Sequence, residues 1–269
     1  MTEHWEDNVS TVMVDRSSHS TVLLISFAVF PGADGKSAFD FVGVTSDLPA
    51  KKVFFRDPNM LWYQTGLDGV GKTVPEIAAY VKNLRATEKA SRVVMIGNSG
   101  GGFAAILFGT LTQVDEIHAF NPPTKLLVES DTSYPEQLAI LHNKTGPDNP
   151  YLDLRKVLLK NPTANPLIFV HYSRGDKKDR RQARYLKGIP HVHLLQYPYI
   201  SHHLARHLAK RGALTKMLHS AIAGDTPGFL AAVRRNKIAI LPLYPPLRVG
   251  WFVNKVWNRA MRWKLNGDQ

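Results

Sequence analysis

The residues able to do chemistry converge on one serine. Residues 93–103 read VVMIGNSGGGF, which sets Gly97-Asn98-Ser99-Gly100-Gly101 directly after an apolar run and directly before a run of small residues. A serine hydroxyl attacks an acyl carbonyl only when a base takes its proton and a third group orients that base. The G-x-S-x-G pentapeptide supplies the geometric part of this. It puts the serine on a tight strand-to-helix turn in strained backbone, so that the hydroxyl projects above the sheet. Side chains two residues before and after would collide there, so both positions must be small. The helix start that follows favours developing negative charge.

The remaining chain supplies a base and an acid in a usable order. YPYISHHLARHL places His202 and His203 after the last apolar strand pattern. His202 follows the loop directly and is the preferred base, whereas His203 points into or along a helix. PLIFVHYSRGDKKD places Asp176 in the loop just after a strand, as the preferred acid. Asp179 is the second choice, and otherwise reads as a solvated charge at the start of the next helix. Two backbone N–H groups are needed to hold an oxyanion. One belongs to Gly100, the residue after the nucleophile. The other is placed near Phe27 or Ala28 in LLISFAVFPG, with Ala28 taken as the donor.

Elements that hold such groups alternate along the chain. Strands are expected over residues 10–15, 21–30, 52–55, 91–96, 116–120, 166–172 and 191–197, and helices over 74–84, 101–111, 180–186 and 202–223. Pro75 sits in the first turn of the helix at 74, and Ser201 can cap the helix at 202. This alternation predicts an α/β fold with a mostly parallel central sheet flanked by helices. Residues 122–166 interrupt it with Pro, Asn, Asp and Lys around two helical pieces, 134–142 and 151–159. They read as a lid-like insertion. Residues 1–224 form the expected core and 225–269 a basic, Trp-rich C-terminal extension with a final helix at 251–265.

Gly97-Asn98-Ser99-Gly100-Gly101, Asp176 and His202 together resemble the α/β-hydrolase superfamily, over roughly residues 21–223. The resemblance implies an eight-stranded sheet with a Ser-His-Asp triad at the carboxyl ends of its strands. It implies ester cleavage through an acyl-enzyme, with thioesters and amides open to the same machinery and no cofactor. The segment FFRDPNMLWYQTG is similar to one in uncharacterised hydrolases, some akin to proteins linked to surface polysaccharides. The early loop lacks the HGGG signature of one lipase group.

Three other signals compete. Residues 66–73 match G-x-x-x-x-G-K-[ST], the phosphate-binding loop of nucleotide enzymes, but no β-branched strand precedes them and no magnesium-holding Asp follows. They read instead as a glycine turn before a helix. His203 and His207 are spaced i, i+4, yet no third ligand stands at a zinc spacing, so no metal is expected. Trp251, Trp257 and Trp263 among Arg and Lys suit packing on the core or peripheral contact with an anionic membrane or acidic partner.

The 269 residues contain no cysteine, which excludes disulfides and a thiol nucleophile. A net charge of +12 does not by itself indicate nucleic acid, because Lys and Arg are spread along the chain and no binding module accompanies them. The start, MTEHWEDNVS, lacks a signal-peptide pattern, and no apolar run approaches the roughly 20 residues of a membrane span, so a cytoplasmic protein is expected. The expected substrate is a small-molecule, glycan or lipid ester. The alternatives are a non-catalytic hydrolase-fold scaffold and a nucleotide-binding enzyme using the glycine turn Gly66-Thr73.

Overall fold

A computed structural model of the chain describes residues 11–28, 30, 38–126, 134–164, 166–199, 201–231 and 233. The expected final helix at 251–265, and all of the extension beyond 233, lie outside them.

Seven strands form one sheet. In chain order they are β1 (Val12–Asp15), β2 (Val22–Phe27), β3 (Lys51–Phe55), β4 (Arg92–Asn98), β5 (Glu116–Phe120), β6 (Leu167–Ser173) and β7 (Val192–Tyr197). Their spatial order is β1-β3-β2-β4-β5-β6-β7, with only β1 antiparallel, paired to β3. The resemblance implies eight strands; the described residues hold seven. The helices are α1 (Val42–Thr45), α2 (Val74–Thr87), α3 (Gly100–Thr112), α4 (Pro135–Thr145), α5 (Leu154–Lys160), α6 (Lys177–Tyr185), α7 (Leu204–Lys210) and α8 (Ala213–Ile222).

The sheet is covered on both faces, as a parallel sheet must be. Alternate residues of β2 divide between two cores. Leu23, Ile25 and Phe27 pack with residues of α2, α3 and α5, and Leu24 packs with residues of α7 and α8. Helix α3 follows the serine and is buried at every position except Leu111, so it carries no polar face. Its sequence, GGGFAAILFGTLT, is apolar all round because it is enclosed between the sheet and its neighbours. Helix α2 has the opposite design, with Val74, Ile77, Val81 and Leu84 on one buried stripe. Thr73 caps it by accepting the Glu76 N–H, and Glu76 reaches back past the cap to the Lys72 N–H at 2.9 Å.

The expected single helix at 202–223 is two helices. The chain turns at Gly212, whose φ of 64° lies in the left-handed region that glycine adopts without strain. Helix α6 begins three residues before the expected 180, because Asp176 caps it. Residues 134–164 contain the two expected helices, and Leu138, Leu141, Leu152, Leu154 and Val157 pack into the core beside α3.

Candidate active site

The serine sits where β4 gives way to α3. Its backbone is at φ 49° and ψ −120°, a sparsely populated region that costs on the order of 1–3 kcal/mol for a residue with a side chain. Two glycines make the turn possible. A Cβ on Gly97 would overlap the Gly101 carbonyl, and a Cβ on Gly101 would overlap the Phe27 carbonyl at the end of β2. The Ser99 N–H donates to the Phe120 carbonyl at 2.8 Å, which ties the turn to the end of β5. Gly100 is the first residue of α3, so its N–H has no partner inside the helix.

His202 lies in the loop between β7 and α7. Its Nδ1 is 2.7 Å from Asp179 Oδ1. This is the position expected of Asp176, and in the structure Asp179 takes it instead. Asp176 is the N-cap of α6, where Oδ1 accepts the N–H groups of Lys178 and Asp179 at 2.9 and 3.0 Å. Capping at 176 starts the helix early. Asp179 then falls in its first turn and is buried, while Lys177 and Lys178 stay exposed.

Burial raises the pKa of Asp179, and the hydrogen bond and charge of His202 offset this only in part. For His202, partial burial favours the neutral ring, but the hydrogen bond and charge of Asp179 outweigh it and raise the pKa above the ordinary imidazole value. Asp179 therefore favours the imidazolium that forms when the ring accepts a proton. It also fixes the neutral tautomer, with the proton on Nδ1 and the lone pair on Nε2. Among the described residues, Asp179 Oδ2 is buried and has no hydrogen-bond partner.

Two residues unseen in the sequence hold the histidine loop. Asn121, at the end of β5 with φ 44°, donates from Nδ2 to the His202 carbonyl at 2.6 Å and accepts the Ser173 N–H on Oδ1 at 3.2 Å. Its own N–H donates to the His171 carbonyl at 2.7 Å. The Ser173 hydroxyl donates to the Ser201 carbonyl at 2.6 Å. Ser99 is thus bonded to Phe120 and His202 to Asn121, so consecutive residues hold the two loops. The signal available in the sequence was an Asn, a residue type that tolerates positive φ, directly before Pro122 and Pro123. His203, the alternative base, is exposed, and its N–H donates to the Ser201 hydroxyl. His207 stacks on Tyr199, with ring centroids 4.9 Å apart.

The early oxyanion donor is also corrected. The Ala28 N–H donates to the Phe55 carbonyl at 2.8 Å, and the Ala28 carbonyl accepts from the Tyr63 hydroxyl at 2.9 Å. Ala28 thus closes the ends of β2 and β3 together and has no N–H to offer. The positions that follow, 29 and 31–37, lie outside the described residues.

The segment after β3 builds one wall beside the elbow. Asp57 is buried and accepts the N–H groups of Asn59, Leu61 and Tyr63 at 3.1, 2.9 and 2.8 Å. These bonds hold Met60, Trp62 and Tyr63 at positive φ. Trp62 and Phe30 then stand beside Gly100, where a Cβ would meet them at 3.4–3.6 Å. Phe30 packs edge-on against both Trp62 and Tyr134.

The glycine turn at 66–73 is not a phosphate cradle. Leu67 and Gly71 exchange N–H···O bonds, Val70 donates to Leu67, and Lys72 donates to Glu76, so these donors face inward. No strand of the sheet precedes the turn directly. Among the described residues, no three His, Asp or Glu side chains are grouped as a metal site would require, and no helix is long and apolar enough to cross a membrane.

No protein-family model matches the chain, and no curated protein sequence matches it. Solved structures do. The capsule O-acetyltransferase of Neisseria meningitidis serogroup A is similar over 79% of this chain and 90% of its own, at 13% identity and a TM-score of 0.56. The fluorophosphonate-binding serine hydrolase F of Staphylococcus aureus is similar over 72% and 82%, at 12% identity and 0.53. A glycosylation-associated protein complex of Streptococcus agalactiae is similar over 78% of this chain and 44% of its own, at 14% identity and 0.58. With a mostly parallel sheet and a serine elbow after β4, the chain has the α/β-hydrolase fold.

Proposed function

We propose that the protein is a serine acyl hydrolase in which Ser99 is the nucleophile, His202 the base and Asp179 the orienting acid. The observation that carries this reading is the 2.7 Å bond from His202 to a buried carboxylate, on a loop anchored to the same strand end as the serine elbow. His202 Nε2 takes the Ser99 proton as the hydroxyl oxygen attacks an acyl carbonyl. The Gly100 N–H donates to the oxyanion that forms. The protonated His202 then gives its proton to the departing oxygen, and the acyl group remains on Ser99. Water attacks the acyl-serine, again with His202 as base, and releases the acid.

Phe30 and Trp62 beside Gly100 favour a short acyl group over a long one. The leaving group is left open by these residues, so a small-molecule, glycan or lipid ester all fit the proposal. Acyl transfer to a hydroxyl other than water uses the same steps, and the structural likeness to a capsule O-acetyltransferase accords with it.

A series of p-nitrophenyl esters tests the proposal. Hydrolysis of the acetate above that of the octanoate is expected, and Ser99→Ala should bring both to background. Equal rates for Ser99→Ala and the unaltered protein would overturn it.

A further inference from the structure

The rejected phosphate-loop motif ends on a cavity that the proposed reaction does not use. A groove of about 490 Å³ lies between the entry to α2 and the end of α4, lined by Lys72 and Thr73 on one side and Lys144 on the other. Gln64, Asn149 and Tyr151 are among its other walls, and none of the described residues lining it is a carboxylate. Among the described residues, neither Lys72 nor Lys144 has an ion-pair partner. Glu76, in the first turn of α2, is engaged with the Lys72 N–H at 2.9 Å and the Thr73 hydroxyl at 3.2 Å. Two lysines lining one groove make it electropositive, which favours an anion there.

The walls are also organised for polar recognition. Gln64 is buried, and its Oε1 accepts from Asn149 Nδ2 at 3.3 Å, while Asn149 Oδ1 accepts the Tyr151 N–H at 3.0 Å. These bonds fix the amides without occupying the groove. Lysines are point-charge binders of phosphate, and the volume exceeds what a single phosphate fills. Because Glu76 already caps α2, the helix terminus contributes nothing, and the side chains alone must hold the ligand.

We propose that this groove binds phosphate, free or carried on a small molecule, between Lys72 and Lys144. The site is separate from Ser99 and does not rest on the hydrolase reading. It adjoins it nonetheless. Gln64 follows Trp62 by two residues, at most about 7 Å of chain, and Trp62 stands against Gly100.

Isothermal titration of the full chain at low salt, with inorganic pyrophosphate and with adenosine diphosphate, tests this. Lys72→Ala and Lys144→Ala should each weaken binding at least tenfold, and the double variant should abolish it while its thermal transition stays unchanged. Lys82→Ala with Lys187→Ala, two exposed lysines outside the groove, should leave binding intact. Tighter binding of adenosine diphosphate than of pyrophosphate identifies a carried phosphate, and equal or weaker binding a free one. Absence of binding to the unaltered protein would overturn the proposal. So would equal loss in the Lys82/Lys187 variant, since the affinity would then belong to the basic surface as a whole.

Discussion

The same substitution made at two positions three residues apart should give opposite results. Asp179→Asn replaces the carboxylate that faces His202 Nδ1 at 2.7 Å, a distance in the range of charge-assisted bonds. The amide is isosteric, so the fold should survive. It cannot stabilise an imidazolium, and its NH₂ group can hold the ring in the wrong tautomer. Replacing the acid of a serine triad in this way lowers kcat by about 10⁴-fold, or about 5.5 kcal/mol of transition-state stabilisation. Asp176→Asn preserves a capping oxygen for the Lys178 and Asp179 N–H groups, and Asn is as good an N-cap as Asp. Its kcat/KM should stay within about threefold of the unaltered protein, and its stability within a few tenths of a kcal/mol. The assay is p-nitrophenyl acetate hydrolysis, with thermal scans of each variant. Comparable losses at both positions, or a well-folded Asp179→Asn at full activity, would refute the assignment of the acid.

Three further outcomes follow from the same geometry. The base works when neutral, so kcat/KM should rise with pH through an inflection above the ordinary imidazole value of about 6.5, and Asp179→Asn should move that inflection down. The raised pKa of His202 means its ionised form contributes stability fully below about pH 6.5 and loses it as pH climbs through the folded value, which pH-resolved thermal scans should show. Asn121→Ala leaves the His202 carbonyl and the Ser173 N–H without partners; it should cost about 1–3 kcal/mol in chemical denaturation and lower kcat more than it changes KM. Gly101→Ala must displace the Phe27 carbonyl and should give insoluble or inactive protein, whereas Gly43→Ala, with nothing within 4 Å of the new methyl, should express and turn over normally.

The elements that carry the site were legible because their patterns are local. The apolar run before Gly97 and the small residues after Ser99 define β4, the elbow and the start of α3 without any distant contact. Phe169, Val170 and Leu195 announce β6 and β7 in the same way. The errors arose where a distant partner decided the outcome. Asp176 and Asp179 both follow β6, and only the capping geometry of α6 determines which one faces His202. Ala28 was chosen for its place after β2, but the Phe55 carbonyl of the neighbouring strand takes its N–H. Asn121 looked like the end of a strand, since its partners, Ser173 and His202, lie 52 and 81 residues away. Gly212 was visible as a glycine within a helical pattern, yet the apolar periodicity on either side outweighed it. The triple positive φ around Trp62 has no sequence signal at all, because Asp57 imposes it from a buried position.

Labelling of the purified protein with a fluorophosphonate, read by intact mass and peptide mapping, tests the central claim most directly. The probe reacts with a serine made nucleophilic by its surroundings and requires no knowledge of the substrate. A single adduct on Ser99 is expected, absent in Ser99→Ala and slowed in His202→Ala. A folded protein that takes up no probe, or takes it up at another serine, would contradict it.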